Sequence, residues 1–463
     1  MYHKYMNKLE LLNTKPSNFL NNKRKRKEIL KDIYNWIKVN NNKIEEALYK
    51  DLGKHQIESY LSEIQIVLKE IRMLINKIGW TTKKHRVGNN ISNPLTYFDS
   101  SFYKFEPLGT IFIIAPFNYP FHLAIMPLVG AIASGNKVIL KPSDKCSHVA
   151  NVIKDLIYQT KLHKVAEYLE HDSLVEEINQ IIDSKPNLIF FTGSTKVGKI
   201  IDLRAKQNGI NTIMELGSPC PVYVDKRTNV KVIAKRLIWA KSYNAGQTCV
   251  SPNHVFVHKD IYQSFINELN NQAIKQLGIN SESNWQLAKI INRETLQYIK
   301  DKFEKLTKNN LVVDEEQNKI QLKIFEANLE EHQEFLRWEL FSPILPVFKV
   351  ENSDQAISLF NKYNNDALSA YICTTDKKVI DNFIEKTNSG SLSINDMLIH
   401  ISNSRLPFGG INNSGHGRYR YKESIRAFSK IRSYYKSNNS LDFSSRFLPY
   451  SQKKYKFIKR FIK

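Results

Sequence analysis

Two amphipathic stretches open the chain. Ile29, Ile33, Trp36 and Ile37 recur about every 3.6 residues within a Lys-rich run, which predicts a helix over 22–50. Leu61, Ile64, Val67, Ile71, Leu74 and Ile75 share one face of a second helix over 60–78. The polar stretch 82–93 then predicts a loop. Beyond it the pattern changes. Short apolar runs at 110–115, 137–140 and 188–192 predict strands, and longer amphipathic runs at 121–134 and 148–162 predict helices between them. The second half repeats this order, with strands at 222–224, 254–257 and 345–349 and helices at 231–241 and 261–277. Residues 306–330 are charged and irregular and predict a surface excursion, and 407–417 predict a turn and a Gly- and Asn-rich loop. Alternation of this kind defines an α/β class with parallel sheets covered by helices.

Composition narrows the classes. With 463 residues, 42% of them hydrophobic and 24% charged, the chain can bury a large core, and its length suggests two to four domains. No run of about 18 apolar residues predicts a membrane span, and the N-terminus lacks the apolar core of a signal peptide. Cys146, Cys220, Cys249 and Cys373 are widely spaced, which predicts no metal site, no disulfides and a reducing, cytoplasmic setting. The net charge of +23 is spread along a chain rich in Lys, Asn and Ile, without interleaved stacking aromatics, so no specific nucleic-acid partner is expected. The C-terminus differs. From Arg446 it carries seven basic and no acidic residues, and Tyr455, Ile458, Phe461 and Ile462 fall on one helical face. This short basic amphipathic segment predicts either peripheral contact with an anionic membrane or packing on the protein body.

The chemistry lies in four segments. In Asn244-Ala245-Gly246-Gln247-Thr248-Cys249-Val250 a cysteine stands among small and polar residues, so its thiolate can reach a substrate. Glu215, at the end of an apolar run, is a candidate general base. Asn118, between Pro116 and Pro120 after a strand, can aim an amide N–H at a developing oxyanion. In Phe191-Thr192-Gly193-Ser194-Thr195-Lys196-Val197-Gly198 a strand turns into a helix, where backbone N–H groups can face phosphate.

In this order the segments resemble the aldehyde dehydrogenases, most closely the class 3 and fatty aldehyde dehydrogenase branch. The likeness also takes in Leu140-Lys141-Pro142-Ser143-Asp144, Glu339-Leu340-Phe341-Ser342-Pro343, Leu406-Pro407-Phe408-Gly409-Gly410, Asn395-Asp396 and Asn413-Ser414-Gly415, and it runs from about residue 20 to the end. The resemblance implies a Rossmann-like parallel-sheet cofactor domain (1–85 and 111–216), a second α/β catalytic domain (217–398) and a small β oligomerisation arm (86–110 and 399–435), followed by the basic tail (436–463). It implies that Cys249 attacks the aldehyde, that Asn118 and the Cys249 N–H hold the oxyanion, and that Glu215 activates water against the thioester. Lys141, Asp144, Gly193, Ser194, Gly198, Gly217, Glu339 and Phe341 would bind NAD, with NADP also admitted, in a homodimer acting on medium- or long-chain or aromatic aldehydes.

Several positions depart from the family pattern. Ser218 and Pro219 follow Gly217 where the family has Gly-Lys, Ser342 replaces a glycine, Asp144 replaces the longer Glu, and a glycine pair is missing around Leu169-Glu170-His171. Ser342 is tolerable only at negative φ. Two other readings follow from these changes: a catalytically impaired homologue acting as a binding protein, or an acyl-group reductase using the same cysteine. Glu215 argues against the reductase, because hydrolysis is the step that needs a water-activating base.

Overall fold

The computed structural model describes residues 22–88, 99–440 and 442–461. The helix expected over 22–50 is two helices, Lys23–Val39 and Asn41–Leu52. Asn40 divides them: its backbone N–H and its side-chain amide both donate to the Trp36 carbonyl, at 2.9 Å. Such local side-chain bonding competes with helix continuation. The second expected helix opens with a π-helical turn, Tyr60–Ile64, and continues as Gln65–Thr82, burying Val67, Ile71, Leu74 and Ile78. The predicted loop at 82–93 holds a short strand, His85–Val87, antiparallel to Ser100–Pro107; three half-exposed residues gave no periodic signal. Residues 89–93 lie outside the described residues.

Two six-stranded sheets dominate. The first runs, in spatial order, Gly415–His416, Asn211–Leu216, Leu188–Gly193, Thr110–Ile114, Lys137–Lys141 and Ala166–Tyr168. All its pairs are parallel except the edge formed by Gly415–His416, which lies antiparallel to Asn211–Leu216. Every residue of Thr110–Ile114 is buried, as a central strand covered on both faces requires. His122–Ser134 is likewise buried along its whole length. The helix expected at 148–162 ends at Gln159, where Thr160 caps a short 3-10 turn, Lys161–Lys164.

The second sheet is parallel throughout: Lys323–Ala327, Ile344–Val350, Pro252–His258, Cys220–Val224, Ala367–Cys373 and Ser389–Ile394. Its first strand corrects the surface excursion expected at 306–330. Phe325 and Ala327 alternate inward along a five-residue strand, too short a run to stand out among the charges. Only the hairpin of Val313–Asp314 with Lys319–Ile320 precedes it. A third, antiparallel sheet joins His85–Val87, Ser100–Pro107 and Ser429–Lys436. The last described helix, Gln452–Phe461, contains Tyr455 and Ile458 of the expected amphipathic face; Ile462 and the Phe461 side chain lie outside the described residues.

This arrangement positions a site. Lys141 and Gly193 end strands of the first sheet, and Glu215 is one residue from such an end. Carboxyl ends of parallel strands are where α/β sheets bind ligands. Facing them are the amino ends of the second sheet, where Cys249 precedes Pro252–His258 and Gly217 precedes Cys220–Val224.

Candidate active site

Cys249 follows a tight turn. Asn244, Ala245 and Gly246 are all left-handed, with φ of 52°, 50° and 74°. A Cβ on Gly246 would meet the Ser342 carbonyl at 2.3 Å, so this position requires glycine on both steric and conformational grounds. Gln247 pins the turn: its Nε2 donates to the carbonyls of Asn244 (3.1 Å) and Lys289 (2.9 Å), and its Oε1 accepts from the Ile291 N–H (3.1 Å). Cys249 is partly exposed, whereas Cys146, Cys220 and Cys373 are buried. Two cavities meet at Cys249. One, of about 420 Å³, also touches Asn118, Lys141, Glu215 and Glu339. The other, of about 200 Å³, is walled by Leu61, Tyr119, Trp239, Tyr243 and Phe408.

Asn118 and Glu215 lie with Cys249 on the larger cavity. The Asn118 Nδ2 donates to the Gln247 carbonyl at 3.1 Å, which ties it to the cysteine turn and leaves its second N–H to serve a ligand. The Asn118 carbonyl accepts from Lys54 Nζ and Asn244 Nδ2, both at 2.8 Å. Lys54 is itself buried against Glu63, whose other oxygen accepts from the Phe121 and His122 N–H groups. Glu215 is buried, and neither carboxyl oxygen has a partner. Burial pushes its carboxyl well above the usual carboxylate range, partly opposed by Arg418 and Arg420. A carboxyl raised by burial is the kind of group that can accept a proton from water.

The remaining candidates divide. Lys141, Asp144, Gly193, Ser194, Gly217, Glu339 and Phe341 line the larger cavity. Gly198 does not. A Cβ there would strike the Leu216 side chain at 2.4 Å, so this glycine lets the helix Thr195–Gln207 pack against its neighbouring strand. Lys141 Nζ donates to the His171 carbonyl at 3.0 Å, so the glycine-poor segment around His171 is the anchor of that lysine. Ser218 is accommodated by a bond, its hydroxyl accepting from the Leu368 N–H at 2.7 Å. Ser342 meets the condition set for it. The left-handed residue of that loop is its neighbour Phe341, at φ 47°.

A model of the aldehyde dehydrogenase family matches residues 20–434. The chain belongs to the aldehyde dehydrogenase family. It is 36% identical over 443 residues to the 4,4'-diaponeurosporen-aldehyde dehydrogenase of Staphylococcus aureus (strain NCTC 8325 / PS 47), covering 95% of this chain and 94% of that one. It is 32% identical to the dimeric NADP-preferring aldehyde dehydrogenase of Rattus norvegicus, covering 87% and 88% of the two chains. Among solved structures, a substrate-bound state of Staphylococcus aureus AldH matches 100% of both chains with a TM-score of 0.92 at 33% identity. As an aldehyde dehydrogenase, the protein is an oxidoreductase acting on aldehydes with NAD or NADP.

The larger cavity of this aldehyde dehydrogenase fits such a dinucleotide. Glu339 Oε1 is buried without a partner, and burial pushes its carboxyl up to about 7. It faces Gly217, where a Cβ would lie 2.1 Å from Glu339 Oε2. An orphaned acceptor beside a bare backbone suits a hydroxylated ligand. Sequence reasoning missed Tyr419 in the larger cavity and His122 and Arg420 in the smaller one, and it placed Phe408, which walls both, only in a family-like turn. Arg420 sits in a Gly- and aromatic-rich loop whose sequence carries no periodic signal.

Proposed function

We propose that this aldehyde dehydrogenase oxidises medium- or long-chain or aromatic aldehydes to carboxylates through a covalent adduct on Cys249. The observation that carries the reading is the position of Cys249 at the junction of a larger cavity that holds Lys141, Asp144, Glu215 and Glu339 and a smaller one walled mainly by apolar and aromatic side chains. Cys249 Sγ adds to the aldehyde carbon, and the resulting oxyanion meets the free Asn118 N–H and the Cys249 N–H. When bound, the nicotinamide dinucleotide supplies the hydride acceptor that turns this adduct into a thioester. Glu215 takes a proton from the water that cleaves the thioester, releasing the acid and restoring the thiol. Lys141, Asp144 and Glu339 hold the ribose hydroxyls. Asp144, being exposed and acidic, disfavours a 2′-phosphate and so favours NAD.

The accommodation of Ser218 and Ser342 favours turnover over a catalytically impaired binding protein, and the buried Glu215 favours hydrolysis over acyl reduction. The proposed division into cofactor, catalytic and bridging segments is supported by the three sheets except at Gly415–His416, a part of the 399–435 segment that pairs with the first sheet, and the antiparallel sheet is the proposed homodimer contact. Ile431 and Tyr435 stand exposed on it.

The test is NADH formation with a long-chain aldehyde, paired with alkylation mapping. Cys249 is expected to label ahead of Cys146, Cys220 and Cys373, and Cys249→Ala to lose turnover while retaining dinucleotide binding. Turnover in the Ala variant would overturn the reading. The tail is proposed as a peripheral membrane contact. Its helix leaves Tyr455 and Phe457 exposed, and among the described residues no helix is long and apolar enough to cross a membrane. Deleting 446–463 is expected to abolish salt-sensitive co-sedimentation with anionic vesicles. Equal binding by the intact and shortened proteins would assign it to the overall charge instead.

A further inference from the structure

Arg420 is a buried cation with no carboxylate partner among the described residues. It is 3% exposed. Its Nη1 donates to the Ile401 carbonyl, its Cζ lies 4.5 Å from the centre of the Phe408 ring, and its buried Nε donates to nothing. A guanidinium removed from water without an anion is unfavourable, and the fold nonetheless holds it in place. The backbone at Arg420 has a φ of 86°, which side-chain-bearing residues rarely adopt. Two bonds fix that bend. The Arg420 N–H donates to Ser424 Oγ at 2.8 Å, and the next N–H, of Tyr421, donates to the buried Glu70. Strain maintained by surrounding structure is a mark of functional positions.

The wall that Arg420 helps to form also contains Cys249. Burial, followed by Cys220, Glu215 and Glu339, holds the Cys249 thiol above its usual range, and Arg420 acts the other way. Around Arg420 stand Glu70, Glu215, Tyr419, His122 and His400. Burial and nearby positive charge keep both histidines neutral at pH 7, with His400 pushed down to about 4. Lys54, the other cation near His122, is paired with Glu63. Of the other nearby cations, Arg418 faces Glu215, and Lys241 faces Cys220 and Glu339, so among the described residues Arg420 is the cation that acts on Cys249.

We propose that Arg420 is the positioning cation for the anions formed at Cys249, the thiolate before attack and the carboxylate product after hydrolysis. This rests on the reading of Cys249 as nucleophile. On ionisation the thiol proton passes to solvent, and the negative charge on Sγ takes Arg420 as its counter-ion. The carboxylate released from the thioester forms in the same field, so product dissociates against that attraction.

The test is the pH dependence of Cys249 alkylation by iodoacetamide, without dinucleotide, with the labelled site confirmed by peptide mass. It compares the unaltered protein with Arg420→Gln and Arg420→Lys. The inflection in Arg420→Gln is expected to move upward by about one pH unit or more, the usual effect of removing one nearby opposite charge. Because Arg420→Gln also loses the bond to the Ile401 carbonyl, Arg420→Lys isolates the charge, and its inflection is expected to stay near that of the unaltered protein. An unmoved inflection in the Gln variant overturns the proposal. So does a Lys variant shifted as far as the Gln one, which would assign the effect to packing. Absence of any label on Cys249 in the unaltered protein would remove the nucleophile reading, and this proposal with it.

Discussion

The two cavities that meet at Cys249 are built in opposite ways. The larger draws on strand ends and the turns after them: Asn118, Lys141, Gly193 and Gly217 follow or finish strands of the first sheet, and Glu215 is one residue from such an end. Its chemistry needs backbone geometry and particular functional groups, so few residues can stand at each position. The smaller cavity takes its walls from the helix Gln65–Thr82 and the π-helical turn before it, from the end of Val230–Ser242 and from the loops near 400 and 420. Its chemistry needs apolar volume, which many side chains can supply. Substitutions in the two should therefore differ in kind as well as in size. Those in the larger cavity should alter chemical steps for every aldehyde, and those in the smaller cavity should alter the choice between aldehydes.

The largest effect is expected at Glu215. Glu215→Gln removes the water-activating base and should slow steady turnover by roughly 100- to 10,000-fold, while a first burst of NADH survives. The pH dependence carries a sign. Burial pushes this carboxyl up, so it is protonated at low pH and becomes a base only as pH rises through the raised value. Steady turnover of the unaltered protein should climb with pH over that range, and that of the Gln variant should lack this rise. Stopped-flow NADH absorbance measures both phases. Loss of the burst together with the steady state would place Glu215 before thioester formation.

Asn118→Ala comes next. The loss of one oxyanion donor typically slows turnover by roughly 100- to 1000-fold. Asn118 also ties two segments together through Gln247, Lys54 and Asn244, and its backbone carbonyl keeps two of those bonds in the Ala variant. The expected signature is a lost burst with dinucleotide affinity kept, the reverse of the Glu215 pattern. A burst of normal rate would remove Asn118 from the oxyanion step.

Legibility in the sequence follows the same division. Cys249, Asn118 and Glu215 were readable as candidates because each sits in a short segment with distinctive turn chemistry, and the fold brings all three to one cavity. The alternation of strands and helices announced both parallel sheets, since 111–114 and 344–348 are continuous apolar runs. Gly198 misled because a glycine at a helix start looks the same whether it admits a phosphate or a neighbouring Leu216. The edge strand Lys323–Ala327 and the strand His85–Val87 were hidden because short, half-exposed strands lack periodicity. Arg420 was hidden for a different reason. What singles it out is the lack of a carboxylate partner among the described residues, and that becomes visible only once the chain is folded.

The smallest expected effect is in the apolar cavity, and it tests the comparison most directly. Trp239 is partly buried, its ring centre 5.1 Å from that of Tyr243, and it walls the smaller cavity without touching the larger. Trp239→Ala removes part of the surface against which an apolar aldehyde would be sheltered. At about 25 cal/mol per Å² of apolar area, losing some 60 Å² of contact corresponds to about 1.5 kcal/mol, or roughly tenfold in kcat/KM. That loss should appear for a long-chain or aromatic aldehyde and nearly vanish for a two- or three-carbon one, which does not reach the indole. KM for the dinucleotide should stay unchanged, because the other cavity keeps all its walls. Steady-state kinetics with two aldehydes and one dinucleotide separate these outcomes. An equal fall for both aldehydes would mean that Trp239 supports the Cys249 turn rather than the substrate. A rise in the dinucleotide KM would mean that the two cavities share a wall through Trp239 and do not divide the labour between them.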